Sequence, residues 1–96
     1  MTTQEFKETF KNISGIVLFK SGSCSICKKE VELFDKVLKS YIQIDCENDP
    51  DYFITNHGLD LLPEVRIYED GNVVWKKTDF VSEEDIQFLI NYVPNA

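Results

Sequence analysis

The sequence has no uninterrupted apolar run near the ~18 residues that a membrane-spanning helix requires. Its opening, Met1-Thr2-Thr3-Gln4-Glu5, lacks both the basic flank and the apolar stretch of a secretory signal, so a cytoplasmic location is expected. No block of lysine or arginine is long enough to neutralise a row of phosphates, and the formal charge is -7. That balance argues against nucleic acid and against an anionic membrane surface as partners. Cysteine is scarce. There are three, and an odd count suits a reactive pair plus one extra thiol better than a framework of structural disulfides. No internal repeat, linker or low-complexity segment is visible.

What is present suits a packed globular chain: 43% of the residues are hydrophobic and 12% aromatic, against 28% charged. A chain of this length is expected to form one domain, 1–96, around a single core. Thr2 and Glu5 stand at capping-box spacing, and Phe6, Phe10 and Ile13 follow at helical spacing, which predicts a short helix ending before Gly15. Ile16-Val17-Leu18-Phe19 has the continuous apolar character of a strand buried on both faces, and Lys20-Ser21-Gly22-Ser23 turns the chain after it. From Cys24 onward, Val31, Phe34, Val37, Leu38 and Tyr41 line one face of a predicted helix of about four turns, with charged residues opposite. Tyr41-Ile42-Gln43-Ile44-Asp45 reads as a second strand, and a helical crossover implies that it runs parallel to the first.

Asp49 before Pro50 opens a short helix that Gly58 closes. Val65-Arg66-Ile67-Tyr68 and Val73-Val74-Trp75 flank Glu69-Asp70-Gly71-Asn72, which predicts a β-hairpin. Ser82 caps a last helix carrying Ile86, Leu89, Ile90 and Val93, with Asp85 at its third position and Val81 placed to staple onto Ile86. The predicted order is αβαβαββα.

The chemistry lies in Cys24-Ser25-Ile26-Cys27, on the first turn of the crossover helix. Unpaired amides and the positive end of the helix dipole stabilise negative charge there, most of all at the sulfur nearest the end. Cys24 is therefore the expected nucleophile. Cys27, three residues on and on the same side, is placed to attack a mixed disulfide at Cys24 and release the substrate, so it is the expected resolving thiol. Half of a zinc site, or two buried thiols without catalytic work, would show the same spacing.

Strand, Cys-X-X-Cys, helix, strand, helix, Leu62-Pro63, hairpin and final helix, in this order from Phe6 to Val93, resemble thioredoxin. The resemblance implies a thioredoxin-like fold of three α/β/α layers with a central mixed sheet of about four strands. It also implies that Pro63 is a cis-proline facing the dithiol, and that the backbone of Leu62 pairs with substrate. Asp79 stands where thioredoxins carry the glycine that lines the peptide groove. Four further positions depart from the pattern: Ser23 replaces a tryptophan, Ile26 a proline, Leu18 the buried aspartate of the first strand, and Tyr41 its companion lysine. With Leu18 in place of that aspartate, the proton leaving Cys27 needs another acceptor, for which water, Glu64 and Asp79 are the candidates.

The implied activity is reduction or exchange of protein disulfides by a cytoplasmic monomer. A thioredoxin-reductase-like enzyme or a low-molecular-weight thiol would regenerate it, with no metal or organic cofactor. A glutathione-dependent glutaredoxin is the neighbouring alternative, but its Cys-Pro-Tyr-Cys, Thr-Val-Pro and Gly-Gly-x-Asp features are replaced by Cys24-Ser25-Ile26-Cys27, Leu61-Leu62-Pro63 and Thr78-Asp79-Phe80. A non-catalytic docking domain and a zinc-binding domain are the others.

Cys46 reads as a small packing residue, and His57, just before Gly58, as a helix-end residue rather than a zinc ligand. Lys28 and Lys29 are expected to be solvated, while Trp75 and Phe80 are expected to pack on the core or sheet.

Overall fold

A computed structural model describes residues 1–93. The first helix, α1 (Thr3–Thr9), starts on the expected capping box: the Glu5 amide donates to the Thr2 hydroxyl and the Thr2 amide donates to the Glu5 carboxylate. It is shorter than the apolar spacing suggests. Phe10–Asn12 tighten into a 3-10 turn, and Ile13 enters the core from beyond it.

The remaining elements are β1 (Gly15–Lys20), α2 (Ser25–Val37), β2 (Ile42–Asp45), α3 (Pro50–His57), β3 (Glu64–Glu69), β4 (Asn72–Thr78) and α4 (Glu83–Tyr92). They form one four-stranded mixed sheet in the order β2-β1-β3-β4, with β2 parallel to β1 and the other pairings antiparallel.

β1 is apolar throughout because both of its faces are covered. Val17 and Phe19 point into a cluster with Phe6 of α1 and Phe53 of α3. Ile16 and Leu18 point the other way, into a cluster with Phe34 of α2, Ile86 and Leu89 of α4, and Val65 and Ile67 of β3. The helices thus form two layers with the sheet between them, as expected of a thioredoxin-like chain.

α2 ends a full turn earlier than its apolar spacing predicts. Val37 is 38% exposed, Leu38 is already extended at φ -99°, ψ 137°, and Tyr41 lies beyond the helix with its ring edge-on to Phe34 at 5.3 Å. A residue folding back from a link satisfies the same core contact as one on a continued helix, so spacing alone does not separate the two.

The hairpin turns on Asp70 and Gly71, both at positive φ (49° and 82°), as a two-residue turn matched to strand twist requires. A Cβ on Gly71 would stand 2.6 Å from the backbone of Lys11, so close approach adds to the conformational demand for glycine.

The register brings the site's segments together. Phe19 on β1 faces Glu64 on β3, Glu64 faces Thr78 on β4, and Lys20 faces Asp45 on β2. The turn into α2, the residue before β3 and the residue after β4 therefore leave the same end of the sheet side by side.

Candidate active site

Cys24 is the N-cap of α2, one position ahead of the first helical residue, and only Cys27 lies within the first turn. Cys27 is on the first turn as expected, whereas Cys24 stands just before it, because the cap role normally played by a hydroxyl or carboxylate falls to a sulfur. The Cys27 amide donates to Cys24 Sγ at 3.2 Å, and the Cys24 amide donates to the Ser21 carbonyl at 3.1 Å. Both are free thiols. Cys24 is half-buried, whereas Cys27 is 1% exposed, and burial first, then its hydrogen bond with Cys24, pushes the Cys27 thiol up to about 11. The pair is therefore unequal: one sulfur is presented at the helix end with an amide against it, and the other is held inside as a thiol.

Leu62–Pro63 is cis, and Pro63 is buried immediately before β3. Asp79, one residue past β4, is exposed and holds φ 67°, a left-handed conformation uncommon for a residue with a side chain. With Thr78 opposite Glu64, Asp79 lies across from Pro63 at the end of the sheet. Phe80 is 48% exposed rather than packed, contrary to expectation, because the chain turns outward between β4 and buried Val81.

One candidate role is altered. Glu64 does not face solvent: it is buried, ion-paired with the guanidinium of Arg66, and on the α3 side of the sheet, where Arg66 Nη2 donates to the His57 carbonyl at 2.5 Å. A carboxylate committed in this way is not a free proton acceptor for Cys27. Leu18 is fully buried in an apolar cluster, and Tyr41 donates to Asp35 at 2.6 Å and accepts from Gln43 at 2.8 Å, so neither stands beside a buried acid on β1.

Sequence reasoning missed Glu30. Assigned with the other charges to the solvated face of the helix, it is 0% exposed. Its Oε1 accepts from the Val81 amide at 2.6 Å, while Oε2 is buried without a hydrogen-bond partner among the described residues. Burial outweighs that bond and, with Asp85 and Asp79 adding repulsion, pushes its carboxyl up to about 7. The signal was in the spacing: Cys27, Glu30, Phe34 and Leu38 follow one another at three or four residues and share the inner face.

Cys46 is buried under the β1 end, its amide on the Lys20 carbonyl at 2.8 Å, and burial pushes its thiol up to about 12, consistent with packing. His57 ends α3 against Phe6 and Phe10, with Nε2 2.9 Å from the Tyr52 hydroxyl, and burial lowers its pKa. Among the described residues no three His, Cys, Asp or Glu side chains are gathered to hold a metal ion. Lys28 and Lys29 are exposed, and Trp75 packs on Phe88 at 5.2 Å.

The layers, the strand order and a cis-proline across from the residue after β4 define a thioredoxin-like fold with a dithiol at the start of α2. Similar solved structures are a thioredoxin of Plasmodium falciparum (TM-score 0.76, 19% identity, 96% of this chain and 95% of that one) and thioredoxin f2 of Chlamydomonas reinhardtii (0.71, 16%, 96% and 92%). A malaria parasite thioredoxin-2, described as a component of protein secretion machinery, aligns at TM-score 0.70 and 19% identity over 85% of this chain and 84% of that one. No family model and no curated protein sequence matches the chain.

Proposed function

We propose that the chain is a thiol–disulfide oxidoreductase that reduces or exchanges protein disulfides through Cys24 and Cys27. The observation that carries this reading is the unequal burial of two free thiols at one helix start, with the inner residue's amide on the outer sulfur. Cys24, as thiolate, attacks one sulfur of a substrate disulfide; a Cys24–substrate bond forms and the other substrate sulfur leaves as a thiolate that takes a proton from water. Cys27 then gives up its proton to water or to Asp79 and attacks Cys24. The intramolecular disulfide forms and the second substrate sulfur departs, so two electrons pass from the dithiol to the substrate. A thioredoxin-reductase-like enzyme or a low-molecular-weight thiol returns them, and the chain works as a cytoplasmic monomer. These steps use no metal or organic cofactor.

Insulin-disulfide reduction driven by dithiothreitol tests the reading. The wild type should outpace the uncatalysed reaction, and Cys24→Ser should not. With dithiothreitol removed after pre-reduction, Cys27→Ser should accumulate reductant-sensitive adducts with substrate on a non-reducing gel. A wild type no faster than the Cys24→Ser, Cys27→Ser double variant would overturn the protein-disulfide reductase reading, and adducts trapped by Cys24→Ser would reverse the two roles.

A further inference from the structure

Among the hydrogen bonds of the described residues, that between Glu30 and Val81 spans 51 residues of sequence and ties the helix bearing the cysteines to the segment after β4. Val81 is fully buried, and β4 has ended at Thr78, so its amide reaches neither water nor a strand partner. A buried amide needs an acceptor, and Glu30 supplies it. Asp79 and Phe80 thus form a short outward turn fixed at both ends. Thr78 holds one end through its pairing with Glu64, next to cis-Pro63, and Val81 holds the other through Glu30.

We propose that Glu30 is a positioning residue for substrate: by accepting from the Val81 amide it holds the Asp79–Phe80 turn beside Pro63 and thereby sets affinity for polypeptide disulfides. The inference rests on the oxidoreductase reading above and assigns Glu30 no part in the chemistry at sulfur. Both turn residues are exposed and so open to the extended chain flanking a peptide disulfide, while a small disulfide has no such chain and need reach only the dithiol.

A carboxylate is also an unusual choice for this task. Its second oxygen is buried with no partner among the described residues, and the charged groups near the carboxylate are Asp79 from the turn, Asp85 from α4 and Lys77 from β4. Burial first, then repulsion from Asp85 and Asp79, pushes the Glu30 carboxyl up to about 7, and Lys77, paired with Asp85 at 2.5 Å, offsets little of this. A hydrogen bond to a charged acceptor is roughly twice as strong as one to a neutral acceptor, so the anchor loosens as Glu30 protonates.

The test compares the wild type, Glu30→Gln and Glu30→Leu on two substrates, a disulfide-linked extended peptide pair and dithionitrobenzoate, from about pH 6 to about pH 8. For the peptide, the wild-type KM should rise about threefold toward the acid end, and Glu30→Gln should stay at that acid value throughout. Glu30→Leu, which leaves the Val81 amide without an acceptor, should raise the peptide KM about tenfold and speed amide exchange at Val81. Reduction of dithionitrobenzoate should change less than about twofold between proteins at any one pH, which removes the titration of the thiols themselves from the comparison.

Equal loss on both substrates, or a peptide KM in Glu30→Gln that follows the wild-type pH profile, overturns the assignment while leaving the oxidoreductase reading intact. If Glu30→Leu does not fold, the profiles of Glu30→Gln and wild type decide alone. A wild type that reduces neither substrate overturns both.

Discussion

Glu30→Gln is also a test of how the core handles a charge. The carboxyl of Glu30 rises from an ordinary 4.5 to about 7 on folding, chiefly because burial disfavours its ionised form. A gap of about 2.5 pH units at ~1.4 kcal/mol each makes ionised Glu30 cost the fold about 3 kcal/mol relative to its neutral form. The folded value lies above the unfolded one, so the favourable contribution is fully present below about pH 4.5 and is lost as pH rises through about 7. Glutamine keeps an acceptor for the Val81 amide and does not ionise. Its amide group, placed where Oε2 has no partner, adds a penalty that is the same at every pH.

The stability of Glu30→Gln relative to wild type should therefore climb by about 3 kcal/mol between about pH 4.5 and about pH 8, a large share of the 5–15 kcal/mol typical of a domain. Urea unfolding at closely spaced pH values reads this directly as a divergence of midpoints at constant slope. Parallel stability curves for the two proteins would show that Glu30 does not carry a desolvated charge, and would remove the physical basis for its titration near neutrality.

The ion pair of Glu64 and Arg66 lies on the opposite side of the sheet, and removing one partner strands the other: Arg66→Met should cost about 3–5 kcal/mol in urea unfolding, and adding Glu64→Leu should recover most of it. A loss below about 1 kcal/mol for Arg66→Met would mean that the pair is solvated in solution. Gly71→Ala should cost about 2 kcal/mol by the same measurement, since φ 82° and a Cβ 2.6 Å from the Lys11 backbone both oppose it; an unchanged midpoint would contradict the hairpin geometry. Iodoacetamide at neutral pH should modify Cys24 well before Cys27, as followed by peptide mass mapping, because only Cys24 is partly exposed; equal rates would contradict the burial of Cys27.

The features read correctly from sequence are those whose signals are local. Thr2 with Glu5 and Ser82 with Asp85 form both halves of their capping boxes, Asp49 accepts from the Tyr52 amide ahead of a helix begun by Pro50, and Asp70-Gly71 turns the hairpin. Each is settled within a few residues by hydrogen bonds and φ preferences that the residue types specify. The dithiol was legible for the same reason, since four consecutive residues and the strand before them place it. What stayed hidden was set across the fold. The end of α2 depends on where β2 can begin, and the outward turn of Phe80 depends on Val81 being held from another helix.

The burial of Glu30, Glu64 and Arg66 was missed for one shared reason. Hydropathy places a charged residue on the solvent side, while position in the pattern places it inside, and in all three cases position prevails. Glu30 follows Cys27 and precedes Phe34 at helical intervals, and Glu64, Arg66 and Tyr68 alternate along one face of β3. The conflict between type and position is itself informative, because burial of a charge persists only where a specific partner meets it. For Glu64 and Arg66 the partners are each other, Tyr68 and the end of α3, so their buried polarity is closed on itself. For Glu30 the partner is one backbone amide of the turn beside Pro63, and one oxygen remains unmet. An ion pair of that first kind locks a core, whereas a lone carboxylate holding a loop at the mouth of a dithiol site leaves the loop's grip dependent on a single proton.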